Sequence, residues 1–197
     1  RERSVANSIQ IISEAPISEP KIIRFMQDSI KIFTNSSYKP SAYALDKYFN
    51  RVDIDSNILT YTVSSSLGKV NDDGFFISSS KPGIGEIEGS FNGFSSKMKV
   101  EVTDEVATLK IMNDYISLEP GEKEQMSIRA YDEKGKQIII DPSAVNWLVS
   151  GDIGVVDRDG VFTAGKDPKN GQIIAKVSTA IASVSARVGN LPIVLEG

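Results

Sequence analysis

The side chains able to do chemistry in this chain are carboxylates and hydroxyls, because its 197 residues include no Cys and no His. That removes thiolate nucleophiles, disulfides, zinc-thiolate clusters, imidazole metal ligands and the Ser-His-Asp triad. Carboxylates gather at Asp72 and Asp73, and again at Asp152, Asp157 and Asp159. One chemistry open to them is calcium binding, which needs about six to eight oxygen ligands around one hard ion. No D-x-D-x-D-G loop with a distal Glu is present. The other is glycosidic hydrolysis, which needs two acids about 5–10 Å apart across a sugar cleft. A third reading asks for no chemistry, since Asp in a turn caps backbone amides with its own oxygens. The run Ser78-Ser79-Ser80 reads as a loop, and a serine there has no base to activate it. The expectation is a chain with no catalytic, cofactor-binding or metal-binding residue.

The elements that would position these residues come from an internal repeat. Gly68, Val70, Asp73, Gly74 and Phe76 recur 86 residues later as Gly154, Val156, Asp159, Gly160 and Phe162. The same interval relates Asp46 to Asp132, Asp55 to Asp141, Tyr61 to Trp147, Pro82 to Pro168 and Ile87 to Ile173. Within each copy apolar residues alternate, as in Val145, Trp147 and Val149 or Val184, Ala186 and Val188. Period-two segments broken by Gly, Asp, Asn and Pro predict short strands. The expected fold is all-β: two tandem immunoglobulin-like antiparallel β-sandwich domains. Gly74 and Gly160 are expected in tight turns at positive φ, delivering Phe76 and Phe162 to the core. Trp147 is expected in the core, paired with Tyr61 of the other copy.

The expected division is 1–20 as a leading strand or linker, 21–103 and 104–190 as the two domains, and 191–197 as a linker onward. Thr103–Val106 is too short for a floppy tether, so the pair should be semi-rigid. The chain opens on Arg1 rather than Met, which leads us to expect a piece of a longer protein.

Composition narrows the setting. A hydrophobic share of 40% and a charged share of 24% suit folded domains rather than disorder. The net charge of −4 comes with scattered Lys and Arg, so nucleic acid is not an expected partner. No apolar run approaches the roughly 20 residues that span a bilayer, so membrane insertion is not expected.

Four aromatics break the repeat. Tyr38, Tyr43, Tyr48 and Phe49 fall where the second copy has Glu124, Arg129, Lys134 and Gly135. The shared fold does not demand rings there. They could form a sugar-stacking face, an interdomain surface against whatever precedes the first domain, or core positions where the copies have drifted.

The order of an aromatic strand residue (Trp147), G-x-V (Gly154, Val156), D-G-x-F (Asp159, Gly160, Phe162), Gly171 and an alternating strand resembles the bacterial Ig-like domain, group 2. Both copies show it, with Tyr61 in place of Trp in the first. The segment Arg3-Ser4-Val5-Ala6-Asn7 with Ile9–Ile12 resembles the closing strand of the phosphodiester glycosidase domain of exopolysaccharide-related bacterial proteins. These resemblances imply an extracellular or cell-surface location. The implied role is non-catalytic: spacer or adhesive modules, with polysaccharide or protein binding by the aromatic face as the alternative. The partners implied are the preceding and following domains of the same polypeptide, and cell-wall or extracellular polysaccharide. No cofactor is implied.

Overall fold

A computed structural model of the chain describes residues 19–55 and 58–189. The leading segment before residue 19 and the tail after 189 lie outside the described residues. Ten strands form the first domain: β1 (Pro20–Phe25), β2 (Ser29–Phe33), β3 (Ser37–Tyr38), β4 (Ala42–Asp46), β5 (Arg51–Asp53), β6 (Thr60–Val63), β7 (Gly68–Val70), β8 (Phe76–Ser78), β9 (Gly83–Phe91) and β10 (Phe94–Thr103). Ten more follow in the second: β11 (Thr108–Ile111), β12 (Ile116–Leu118), β13 (Lys123–Gln125), β14 (Ile128–Tyr131), β15 (Gln137–Ile138), β16 (Asn146–Ser150), β17 (Gly154–Val156), β18 (Val161–Ala164), β19 (Lys169–Val177) and β20 (Ala180–Val188). A 3₁₀ turn over Pro142–Ala144 separates β15 from β16.

The pairing repeats strand for strand. The first domain has a four-stranded sheet β2-β10-β9-β6 and two three-stranded sheets, β1-β4-β5 and β3-β8-β7. The second has β12-β20-β19-β16, β11-β14-β15 and β13-β18-β17. The chain is thus all-β, two tandem immunoglobulin-like sandwiches. The ladders are antiparallel except β2–β10 and β12–β20, which run parallel. Alternation within a strand carries no information on the direction of its neighbour, so this feature has no sequence signal.

Period two decides what is buried. Ile23 and Phe25 of β1 face Met98, Val100 and Val102 of β10, with Phe76 and Ile87 between the sheets. In the second domain Phe162, Ile153 and Ile173 form one cluster, and Leu109, Ala130 and Val177 a second. Trp147 packs against both and donates its indole N–H to the Pro142 carbonyl at 3.2 Å. Fully burying a side chain such as Phe162 or Ile173 stabilises by about 1.5–3 kcal/mol. Gly74 and Gly160 sit at φ 78° and 77°, and the rings two residues on, Phe76 and Phe162, are fully buried. The serine run is not wholly a loop. Ser78 closes β8, is buried, and donates its hydroxyl to the Phe33 carbonyl at 2.6 Å. The same oxygen accepts the Ser36 N–H at 2.9 Å, so this serine ties the turn after β2 to β8.

Candidate functional site

Of the carboxylates singled out above, Asp157 acts on its own turn. Asp157 Oδ1 accepts the backbone N–H groups of Asp159 (3.0 Å) and Val161 (2.9 Å). At the matching position Asn71 Oδ1 accepts the Phe75 N–H at 2.8 Å. An amide oxygen caps as an ionised carboxylate does, which is why Asp and Asn interchange here. Asp152 pairs with Lys169 at 2.6 Å, and that contact holds its carboxyl below the usual carboxylate range. Asp72 and Asp73 are exposed in the turn before Gly74. Among the described residues no three acidic side chains are placed to hold a metal ion together.

The four aromatics do not share one face. Tyr38 packs on the first core, its hydroxyl donating to Gln27 at 2.9 Å; burial pushes that phenol up. Tyr43 is half-buried in β4 with the Arg51 guanidinium over its ring at 4.9 Å. Tyr48 and Phe49 alone stand together, at the β4–β5 turn. Their exposures are 49% and 72%. Phe49 has φ 63°, a left-handed conformation that Gly135 adopts at the matching turn without strain.

The most developed constellation lies where the sequence carries no signal for it, at the joint between the domains. Its centre is a β-bridge between Ile32 of β2 and Ile139, just past β15. The Ile139 N–H donates to the Lys31 carbonyl (2.8 Å), and the Phe33 N–H donates to the Ile139 carbonyl (2.7 Å). Side chains are exchanged in both directions. Ile139 packs on the first core, and Phe33 packs on the second.

Polar contacts flank this bridge. Asp141 accepts the Ser37 N–H (2.9 Å) and hydroxyl (2.9 Å) through Oδ2, while its own N–H donates to Ser36 Oγ at 3.1 Å. On the other side the Lys31 side chain is 13% exposed, and its ammonium contacts Glu101 at 2.7 Å and Asp132 at 3.1 Å. The connecting segment is tied down as well, since the Thr103 carbonyl accepts the Thr34 N–H and Thr103 and Val106 are buried. An open cleft of about 590 Å³ runs beside the pair, lined among others by Glu105, Lys134 and Thr179.

Glu101 above all, then Asp132, holds the Lys31 ammonium above the usual lysine range, with burial opposing. The Lys136 backbone N–H first, and then Lys31, hold the Asp132 carboxyl below the usual carboxylate range. A raised lysine contributes below its unfolded pKa and stops contributing as pH rises through its folded one. A lowered carboxylate contributes above its unfolded pKa and stops as pH falls through its folded one. The joint should therefore keep its geometry between about pH 5 and about pH 10 and loosen beyond both ends. Scattering radius of gyration against pH checks this, and expansion at neutral pH would contradict it.

No family model and no curated protein matches the chain. Among solved structures it is similar to domains 5-6 of the S-layer protein SbsC, at 15% identity and TM-score 0.43, covering 86% of this chain and 97% of that one. Domains 4 and 5 of SbsC give 15% identity and TM-score 0.36, covering 87% and 99%. The titin domains z1z2 in complex with telethonin give 11% and 0.27, covering 87% and 97%. All three superpose loosely, and the architecture described above stands on its own strand pairing.

Proposed function

We propose that this chain is a non-catalytic pair of modules that fixes distance and direction between its neighbours in a secreted bacterial cell-surface protein. The observation that carries this reading is the joint. A spacer transmits orientation only if its domains cannot swivel, and swivelling is the ordinary expectation for small polar interfaces. Here a strand bridge, reciprocal packing of Phe33 and Ile139, and the bonds of Asp141 and Lys31 all oppose rotation. Support for the surface setting comes from the G-x-V and D-G-x-F order in both copies. The likeness of Arg3–Ile12 to a phosphodiester glycosidase closing strand supports a place after such a domain. Partners on this reading are the adjoining domains and extracellular polysaccharide.

The test uses the absence of native cysteine. Spin labels at Lys69→Cys and Arg158→Cys, both exposed and one in each domain, report the interdomain distance. A single narrow distance distribution is the expected result. A broad one, extending over tens of ångströms, would refute the spacer reading.

A further inference from the structure

The two parallel ladders tie the strand near the entry of each domain to the strand by which the chain leaves it, and they differ in length. Among the described residues β2 pairs with β10 over five positions, Ser29–Phe33 with Lys99–Thr103. The matching pair, β12 with β20, spans three, Ile116–Leu118 with Ala186–Val188. Lys21 lies over the Phe94 ring, where β10 begins, and Phe33 pairs with Thr103, where β10 ends. From β1 through β2 the chain therefore runs beside β10 in one direction. A pull on the two ends of the domain drags β2 backward and β10 forward along their own axes. The ladder bonds run between the strands, so the whole set is strained together instead of opening one at a time.

The ends of the ladders differ as well. In the first domain the Lys99 N–H donates to the Asp28 carbonyl and the Thr34 N–H to the Thr103 carbonyl, each at 2.9 Å. Strand β2 is also held from its other edge, where the Lys31 carbonyl and the Phe33 N–H bond to Ile139 of the second domain. In the second domain Pro120 stands where the repeat places Thr34, and proline has no N–H to offer the Gly189 carbonyl. The bond at that end runs instead from the Gly189 N–H to the Leu118 carbonyl, at 2.8 Å.

We propose that the pair bears tension along its length, with the two parallel ladders as the load-bearing elements, and that the second domain yields before the first. The domains lie in series and feel the same force, so the shorter and less closed ladder decides when the chain first lengthens. Forced unfolding follows the unfolding rate and not equilibrium stability, so this order does not depend on which domain melts first. The load itself rests on the spacer reading, since neighbours held apart by a module also pull through it. The ladders lie inside each domain and stand even if the joint swivels.

Single-molecule pulling on the full chain, held by its two ends, tests this. Two unfolding events are expected, each releasing about 80 residues, on the order of 250 Å of chain. Thr34→Pro gives the first domain the second domain's own residue and removes the Thr34 donor. The two turns match, with Asn35 and Gly121 both at positive φ, so the fold should accept it. The later event should lose force and the earlier one stay where it was. Pro120→Thr restores a donor and should raise the force of the earlier event. A loss confined to the earlier event in Thr34→Pro, no shift in either variant, or one merged event in the native chain each overturns the proposal.

The direction of load supplies a second measurement, since the chain has no native cysteine. Handles at Asn35→Cys and Asp104→Cys, both exposed and both beside the Thr103 end of the first ladder, would peel its pairs apart singly. Pulled there, the first domain should lose its high-force event, and equal forces in the two directions would show that the ladder is not what resists. Ordered events together with a broad spin-label distance would remove the stiff spacer and leave the ladders. Unordered events with a narrow distance would remove the load-bearing role and leave the spacer.

Discussion

Replacing Gly154 by alanine should destabilise the second domain by about 3 kcal/mol, from strain and overpacking together. Gly154 has φ 147°, a region L-residues rarely enter. A Cβ there would be driven into the Thr163 carbonyl oxygen and would lie 2.8 Å from Cε2 of Phe162. Neither neighbour can move away easily. The Thr163 carbonyl belongs to β18, which pairs with both β13 and β17, and Phe162 is fully buried. Gly68 stands in the same relation to the Ile77 carbonyl and Phe76, so Gly68→Ala should cost the first domain a similar amount. Gly121→Ala is the control. It also has positive φ, at 82°, but its Cβ would meet nothing within 4 Å, so about 1 kcal/mol of backbone strain is all it should show. Calorimetry that resolves the domain carrying each change checks the set. A Gly154→Ala loss no greater than that of Gly121→Ala would show that the close approach is not rigid.

These glycines and the phenylalanines beside them were legible in the sequence because both copies need them for the same local reason. The fold class followed from the same source: whatever recurs at one interval serves what the copies share. The joint was illegible by that logic. Phe33, Lys31 and Ile139 correspond to Glu119, Ser117 and Asp53, so these three joining residues are ones where the copies differ, although Asp132, the partner of Lys31, recurs as Asp46. Asp141 does recur, as Asp55, but nothing in its type marks one copy as an acceptor for Ser36 and Ser37 of another domain. That pairing links positions 104 apart or more, and a repeat of 86 cannot indicate it. Departures from the repeat did draw attention to Tyr38, Tyr43, Tyr48 and Phe49. Burial then separated them: a ring against the core, a ring under an arginine, and two rings in solvent are different answers to the same sequence signal.

Substituting Ile139 by aspartate should uncouple the domains while leaving each folded. The choice of aspartate follows from the repeat. Asp53 occupies the same slot in the first domain, where it is exposed and pairs with Arg51 at 3.1 Å, so a domain of this design accepts the residue. At the joint the same side chain would replace an isoleucine packed on the first core. Ile139 is half-buried, so the loss of apolar burial is part of the about 1.5–3 kcal/mol that full burial gives, and a carboxylate pressed toward that core adds a desolvation penalty of the same sign. Asp132 and Asp141, both already holding partners across the interface, would add repulsion to the new charge. The two backbone bonds at residue 139 cannot offset this alone, since each contributes only about 0.5–1.5 kcal/mol net. The expected outcome is a broadened label-to-label distance, a larger radius of gyration and two separable thermal transitions. Ile139→Val, which keeps the apolar contact, should preserve the narrow distribution. If the aspartate variant kept it as well, the bridge and the Asp141 bonds would suffice, and the exchange of Phe33 and Ile139 would not be what stiffens the pair.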